Sequence, residues 1–271
     1  MPIQSLKIQR MLWLSLFFVF ALNRSAAASL APKADLSRTS TKRFVRRAVR
    51  FLTQLYDPRM RLLPEYRGSS VFWLFHDNLL AEKVLARYRP ALAHKIKSAI
   101  HQYHPPCQGA IMVLLGHNQH VPPFHQTQLM TVAEVDGKVI KNEVDTANTI
   151  RNWRDYADLL LLAAISNADR NRAFAKRCYR QAMAMWDGQG FWDNPAQQLG
   201  RYSAFKLALA IIASRRLGES KSMRALFTRK LIAQQDRSGG VVTDYNGAGK
   251  RVGLPNVETT CLAILALQRN R

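Results

Sequence analysis

The chain has 271 residues, 48% of them hydrophobic, and carries 40 Lys and Arg against 18 Asp and Glu, a formal charge of +22. That length and mixture describe a globular protein with one sizeable core and exclude a disordered or collagen-like chain. The charge favours anionic partners, but no recognised nucleic-acid-binding motif accompanies it, so nucleic acid is not an expected partner.

Residues 1–28 read as a secretory signal peptide. Lys7 and Arg10 precede an apolar run over 11–22, and small residues over 25–29 offer an A-x-A-like exit at 26–28. The run is 12 residues long, short of the roughly 20 that a spanning helix needs. Arg24, beside the exit, leaves an uncleaved N-terminal membrane anchor as the alternative. The expected location is extracytoplasmic, secreted or periplasmic. Removal of 1–28 leaves a charge of +19.

A polar lead-in over 29–40 precedes a single domain over 41–271. Ser40 or Thr41 is placed to cap a helix running to about Tyr56, with Phe44, Val45, Ala48, Phe51, Leu52 and Leu55 at helical spacing. Its other face is basic (KRFVRRAVR, 42–50). Two prolines and a glycine break it within 56–68. Residues 69–85 (SSVFWLFHDNLLAEKVL) predict a helix apolar nearly all round, hence buried, with His76, Asp77 and Asn78 in its middle. A carboxylate there needs a partner or a task, because a lone charge is costly to bury.

A basic amphipathic helix follows over 90–103. Residues 107–145 read as a small antiparallel β insertion. Within it 110–115 and 128–135 are β-rich or alternating, and Asp136-Gly137 is a hairpin signal before 138–144. Asn148 or Thr149 is then placed to cap an apolar helix to about Ser166, which includes 153–165 (WRDYADLLLLAAI). Residues 169–186 predict a basic amphipathic helix, 187–200 a turn-rich loop, 201–217 an apolar helix and 219–235 another basic one. A long loop over 236–255 leads to a fourth apolar helix, 256–267.

The order is outer basic helix, loop, inner apolar helix, four times over at an irregular spacing of roughly 50 residues. Outer-to-inner loops are long and rich in Asp, Gly and aromatics, whereas inner-to-outer connections are tight. Every long loop therefore falls at one end, and loops held by a rigid scaffold commonly carry function.

Tyr56-Asp57, HDNLLA (76–81), SGGVVTDY (238–245) and NVETT (256–260), set in this repeat, resemble α/α toroid proteins: six-hairpin glycosidases and related polysaccharide lyases. The resemblance spans 41–267 at the level of repeat pattern. It implies a mainly α fold, an incomplete or small α/α toroid of about four helical hairpins with a small antiparallel β insertion. Four hairpins, where those toroids have five to seven, leave three architectures open: an open arc, a smaller closed barrel, or completion by a second copy. The implied function is an exported carbohydrate-active protein, a glycoside hydrolase or polysaccharide lyase. The alternative is a non-catalytic extracytoplasmic module that binds glycan or protein.

Aligning the inner helices sets Asp77, Asp158, Lys206 and Cys261 at comparable depth, with Trp73, Arg154, Tyr202 and Val257 about a turn earlier. Glycoside hydrolysis uses two carboxyls about 5–5.5 Å or about 6.5–9.5 Å apart. The candidates are Asp77 with Asp155 or Asp158, then Asp244 and Glu258. A lyase needs a Tyr or His base and a cation facing a uronate, and His76, Tyr156, Tyr202, Arg154 and Lys206 supply those types. Trp73, Trp192 and Tyr245 complete the substrate-binding set. The structural alternative makes Asp77 and Asp158 buried partners of Arg154 or Lys206, and Glu258 a helix N-terminal charge.

No cofactor is expected. Three widely spaced cysteines, Cys107, Cys178 and Cys261, exclude a disulfide-built scaffold. Five histidines gather with Cys107 over 101–125, without a recognised zinc spacing. A metal site is not expected; one would have to draw on His101, His104, Cys107, His117 and His120. The expected partners are a glycan, anionic in the lyase reading, an anionic membrane surface, or a second copy of the chain.

Overall fold

The computed structural model describes residues 38–103, 109–116 and 121–268. The signal-like stretch 1–28 and most of the lead-in lie outside them. Helices dominate, and three small sheets accompany them.

Helix α1, Arg38–Leu55, buries Phe44, Ala48, Phe51 and Leu52 and exposes Lys42, Arg43, Arg46 and Arg50. The apolar stretch that follows is not one helix. A short strand β1, Val71–Trp73, leads into a π-helical turn, Leu74–Leu79, and only then into helix α2, Leu80–Leu85. Asn78 explains the local geometry. Its buried amide accepts from the Leu63 N–H (2.7 Å) and donates to the carbonyls of Leu63 (3.0 Å) and Trp73 (2.7 Å). The turn is thereby fastened to the irregular chain before it, and backbone groups that no regular helix would reach are satisfied.

Helix α3, Pro90–Gln102, starts on the proline that the first turn tolerates. Strands β2, His125–Val135, and β3, Lys138–Thr149, form the expected hairpin. Asp136 (φ 50°) and Gly137 (φ 70°) both take the left-handed conformation that a tight hairpin turn requires. The sheet departs from expectation in two ways. Residues Ala110–Val113 form a 3-10 turn with Ile111, Met112 and Val113 buried, not a strand; a short apolar run has no periodicity to separate the two. In addition, β1 joins β3 in parallel, pairing Val71 with Val139 and Trp73 with Lys141, so the sheet is mixed.

Asn148 and Thr149 end β3 and cap nothing. A 3-10 turn, Trp153–Asp155, precedes helix α4, Ala157–Asn167. Helix α5, Arg172–Ala184, is capped by the Asn171 side chain through the Phe174 N–H (3.0 Å). The next loop holds a short helix α6, Asn194–Leu199, and strand β4, Tyr202–Ser203. Helix α7, Ala204–Leu217, and helix α8, Lys221–Ala233, follow. Strands β5, Val241–Val242, β6, Asp244–Tyr245, and β7, Pro255–Asn256, lead to helix α9, Val257–Leu267. Asn256 caps α9 through the Thr259 N–H (2.9 Å).

Helices α2, α4, α7 and α9 are apolar on most sides and form the inner layer. Helix α9 packs against α2, α7 and α1; α7 packs against α4 and α8, α4 against α5, and α2 against α3. The first and last inner helices are therefore neighbours. The Gly-Gly pair of the 236–255 loop follows from the same packing. A Cβ on Gly240 would lie 2.7 Å from Phe51 Cζ and Pro255 Cβ, and one on Gly239 (φ 98°) would lie 2.5 Å from the Arg47 carbonyl oxygen. Among the described residues no helix is long and apolar enough to cross a membrane.

Candidate functional site

Three backbone links and one side-chain cap tie the starts of the inner helices to neighbouring loops and strands. The Val257 N–H, opening α9, donates to the Glu65 carbonyl (3.0 Å) in the loop before the π turn. Strand β4, opening α7, pairs with β6, and β7, opening α9, pairs with β5. The Ala157 N–H, opening α4, donates to Asp193 Oδ2 (2.9 Å) in the loop before α7. The Asp193 side chain thus caps, from 36 residues away, a helix whose own N-cap residue, Tyr156, makes no side-chain cap bond.

The same carboxylate holds a buried lysine. Lys206 Nζ lies 2.5 Å from Asp193 Oδ2 and 3.7 Å from Asp158 Oδ1, and Lys206 is only 3% exposed. Of the two structural partners expected for Asp158, Lys206 is the one realised. Arg154 is exposed and lies over the Trp153 ring at 4.6 Å. Asp155 is exposed in the 3-10 turn, and Tyr156 is half-buried at the rim.

Asp77 is fully buried in the π turn, with Trp73 buried just before it. Glu258 is 7% exposed in the first turn of α9. Burial, reinforced by the negative charges of Asp77 and Glu258, raises the Cys261 thiol well above its ordinary pKa. Asp77, Glu258 and Cys261 therefore share one closed neighbourhood. Cys261 and Cys178 are both buried free thiols, and inert ones. His76 turns elsewhere: its Nε2 lies 2.9 Å from Glu143 Oε2 on β3, while Glu143 Oε1 accepts from the Thr127 hydroxyl (3.0 Å). It joins helix to sheet.

The remaining candidates line the β4–β6 junction. Asp244 is 6% exposed, with Arg201 Nε at 4.0 Å and the Ser203 hydroxyl at 3.4 Å. The Tyr202 and Tyr245 rings stack at 5.5 Å with 29° between planes. Tyr202 donates to Asp187 Oδ2 (2.5 Å) and Tyr245 to the Gln189 carbonyl (3.0 Å). Burial, then the bond to Asp187, raises the Tyr202 phenol well above its ordinary range; burial, then the nearby Tyr202 and Asp187, does the same to Tyr245. Burial alone would also raise the Asp187 carboxyl, but the Tyr202 hydroxyl and the Gly190 and Gln189 N–H groups outweigh it and hold it low. Both hydroxyls act here as hydrogen-bond donors. Trp192 lies on the outside of this stack, 5.5 Å from Tyr202 and 38% exposed.

The acids nominated from sequence thus fall into separate groups: Asp158 beside Lys206, Asp77 and Glu258 near Cys261, and Asp244 beside Arg201. A cleft of about 430 Å³ is lined by Tyr56, Asp57, Phe72 and Lys138 among others, and none of Asp77, Asp158, Asp244 and Glu258 borders it. Among the described residues no group of three or more His, Cys, Asp or Glu is arranged to hold a metal ion. His101 is exposed on α3, and His104, Cys107, His117 and His120 lie outside the described residues.

Sequence reasoning missed the roles of Asn78, Asp187 and Asp193. Asn78 had a signal: an amide in an apolar helix must find partners. Asp187 and Asp193 had none beyond lying in an Asp- and Gly-rich loop, because their partners are distant in the chain. No protein-family model, no curated protein and no solved structure matches the chain.

Proposed function

We propose that the protein is a non-catalytic, extracytoplasmic glycan-binding module built on a small α/α toroid. The toroid reading rests on the four inner helices, whose last member packs against the first. The binding reading rests on one observation above all: Asp77, Asp244 and Glu258 are buried and Asp158 is paired with Lys206, while the Trp192 indole faces solvent. Trp192 packs at a tilt of 55° against Tyr202, which stacks on Tyr245, so the exposed indole is backed by two buried rings. The bond between the Ala157 N–H and Asp193 ties the half-buried Tyr156 to the same rim as Trp192. A ring so backed, with exposed Gln197 and Gln198 and the partly exposed Arg201 nearby in the chain, suits stacking against a sugar with hydrogen bonds at its edge. Extracytoplasmic action follows from the signal-like 1–28.

The test is calorimetric titration of neutral and acidic oligosaccharides, alongside product analysis on the same panel with Asp77→Asn and Asp158→Asn as controls. Binding without turnover is expected, and Trp192→Ala should weaken it by one to two orders of magnitude, the roughly 1–3 kcal/mol of a lost aromatic contact. Turnover abolished by Asp77→Asn or Asp158→Asn would replace this reading with an enzymatic one. Absence of any binding would remove the glycan.

A further inference from the structure

The charge of this protein is sorted by layer. The four outer helices α1, α3, α5 and α8 contain 16 Lys and Arg and not one Asp or Glu. At its loop end the inner layer instead holds acids, Asp77 and Glu258 buried and Asp158 partly buried beside Lys206. A uniformly basic composition would scatter acids over the outer helices too. Among the described residues the ion pair of Lys176 with Glu219 is long, 3.8 Å, while Arg47 and Arg172 donate to neutral carbonyls, those of Asp236, Arg237 and Leu217, which leave their charge in place.

The densest part is α1. Lys42, Arg43, Arg46 and Arg50 are exposed, while the apolar face of α1 is already buried in the core. This face has no exposed ring to stack on bases, as a nucleic-acid groove does. A spread of point charges on a convex helix suits a spread of anionic headgroups, each cation contributing modestly within a Debye length of the surface. In sequence, α1 is also the helix nearest the apolar run 11–22 and its flanking Lys7, Arg10 and Arg24.

We infer that the exposed face of α1 docks the protein, peripherally and electrostatically, on an anionic lipid bilayer. It does so without inserting apolar side chains. The measurement is vesicle flotation of the full chain with phosphatidylglycerol-containing and pure phosphatidylcholine vesicles, at low and high NaCl. The expected result is a preference for the anionic vesicles that high salt removes. The triple variant Arg43→Gln/Arg46→Gln/Arg50→Gln should lower partitioning to them on the order of a hundredfold, at about one kcal/mol per charge. These side chains are exposed, so an unchanged circular-dichroism melt confirms that the variant folds.

Equal flotation with both vesicle types would assign binding to the 11–22 run and overturn the inference. So would an unaltered partition of the triple variant. Selective binding to heparin or tRNA, lost in the variant while vesicles are ignored, would reassign the face to a soluble polyanion. None of these outcomes depends on Trp192, so the glycan reading stands or falls separately.

Discussion

At the scale of the residue, Lys206 carries more of the architecture than any other single side chain near the site. It joins α7 to the buried Asp193, which caps the start of α4, and to the partly buried Asp158 inside α4. A buried ion pair is not by itself evidence of net stabilisation, but removing one partner strands the other charge. Lys206→Met should therefore destabilise the fold by about 3–5 kcal/mol, read as a shift in urea midpoint. Adding Asp193→Asn should recover part of the loss, because the stranded charge disappears while the amide oxygen still accepts from Ala157. A double variant no better than the single one would mean that Lys206 acts through packing.

At the scale of the element, the chain's readable and unreadable parts divide on whether the deciding interaction is local. The inner helices were legible because a stretch apolar on every face has nowhere to go but inside, and α9 announced its start with Asn256. The β2–β3 hairpin was legible from Asp136-Gly137. The start of α4 was not, since its cap arrives from Asp193 rather than from Asn148 or Thr149. Nor was the break in 69–85, where β1 pairs with a strand 68 residues on and Asn78 holds the π turn. Of the candidate site, alignment of the inner helices set Asp77, Asp158, Lys206 and Cys261 at one depth, and the structure pairs Lys206 with Asp158 and sets Asp77 near Cys261. The burial of Asp77, Lys206 and Glu258 was not legible, because spacing along a helix does not say how deep its first turn lies.

The π turn supplies a test of its own. Asn78→Ala leaves the N–H and carbonyl of Leu63 and the carbonyl of Trp73 without their buried partner. At 1–3 kcal/mol for such a group, and with partial relaxation, a loss of about 3 kcal/mol is expected. Hydrogen exchange should show it at residues 57–68 before it shows in α4 or α7. Uniform loss of protection across the molecule would mean that this loop is not a separate unit.

At the scale of the whole molecule, a net charge of +22 gathered mostly on outer helices repels itself. Raising NaCl from about 20 mM to about 200 mM shortens the Debye length from roughly 20 Å to roughly 7 Å. The melting temperature should then rise by a few degrees, the opposite of a fold held by surface ion pairs. A fall measured by calorimetry would show that pairs such as Lys138 with Asp57 outweigh the repulsion.

The contact of α9 with α1, α2 and α7 has a consequence in time rather than in space. During synthesis, the helices made first emerge without the partner that covers their inner side. Some 200 residues must pass before Val257–Leu267 arrives to join them. The entropy of closing so long a loop grows only slowly with its length, by (3/2)RT ln n, so the delay costs little at equilibrium. It matters kinetically. Until α9 arrives, the greasy flanks of α2 and α7 are exposed to whatever else is nearby, and the protein's vulnerable interval is set by its last helix rather than by its slowest one.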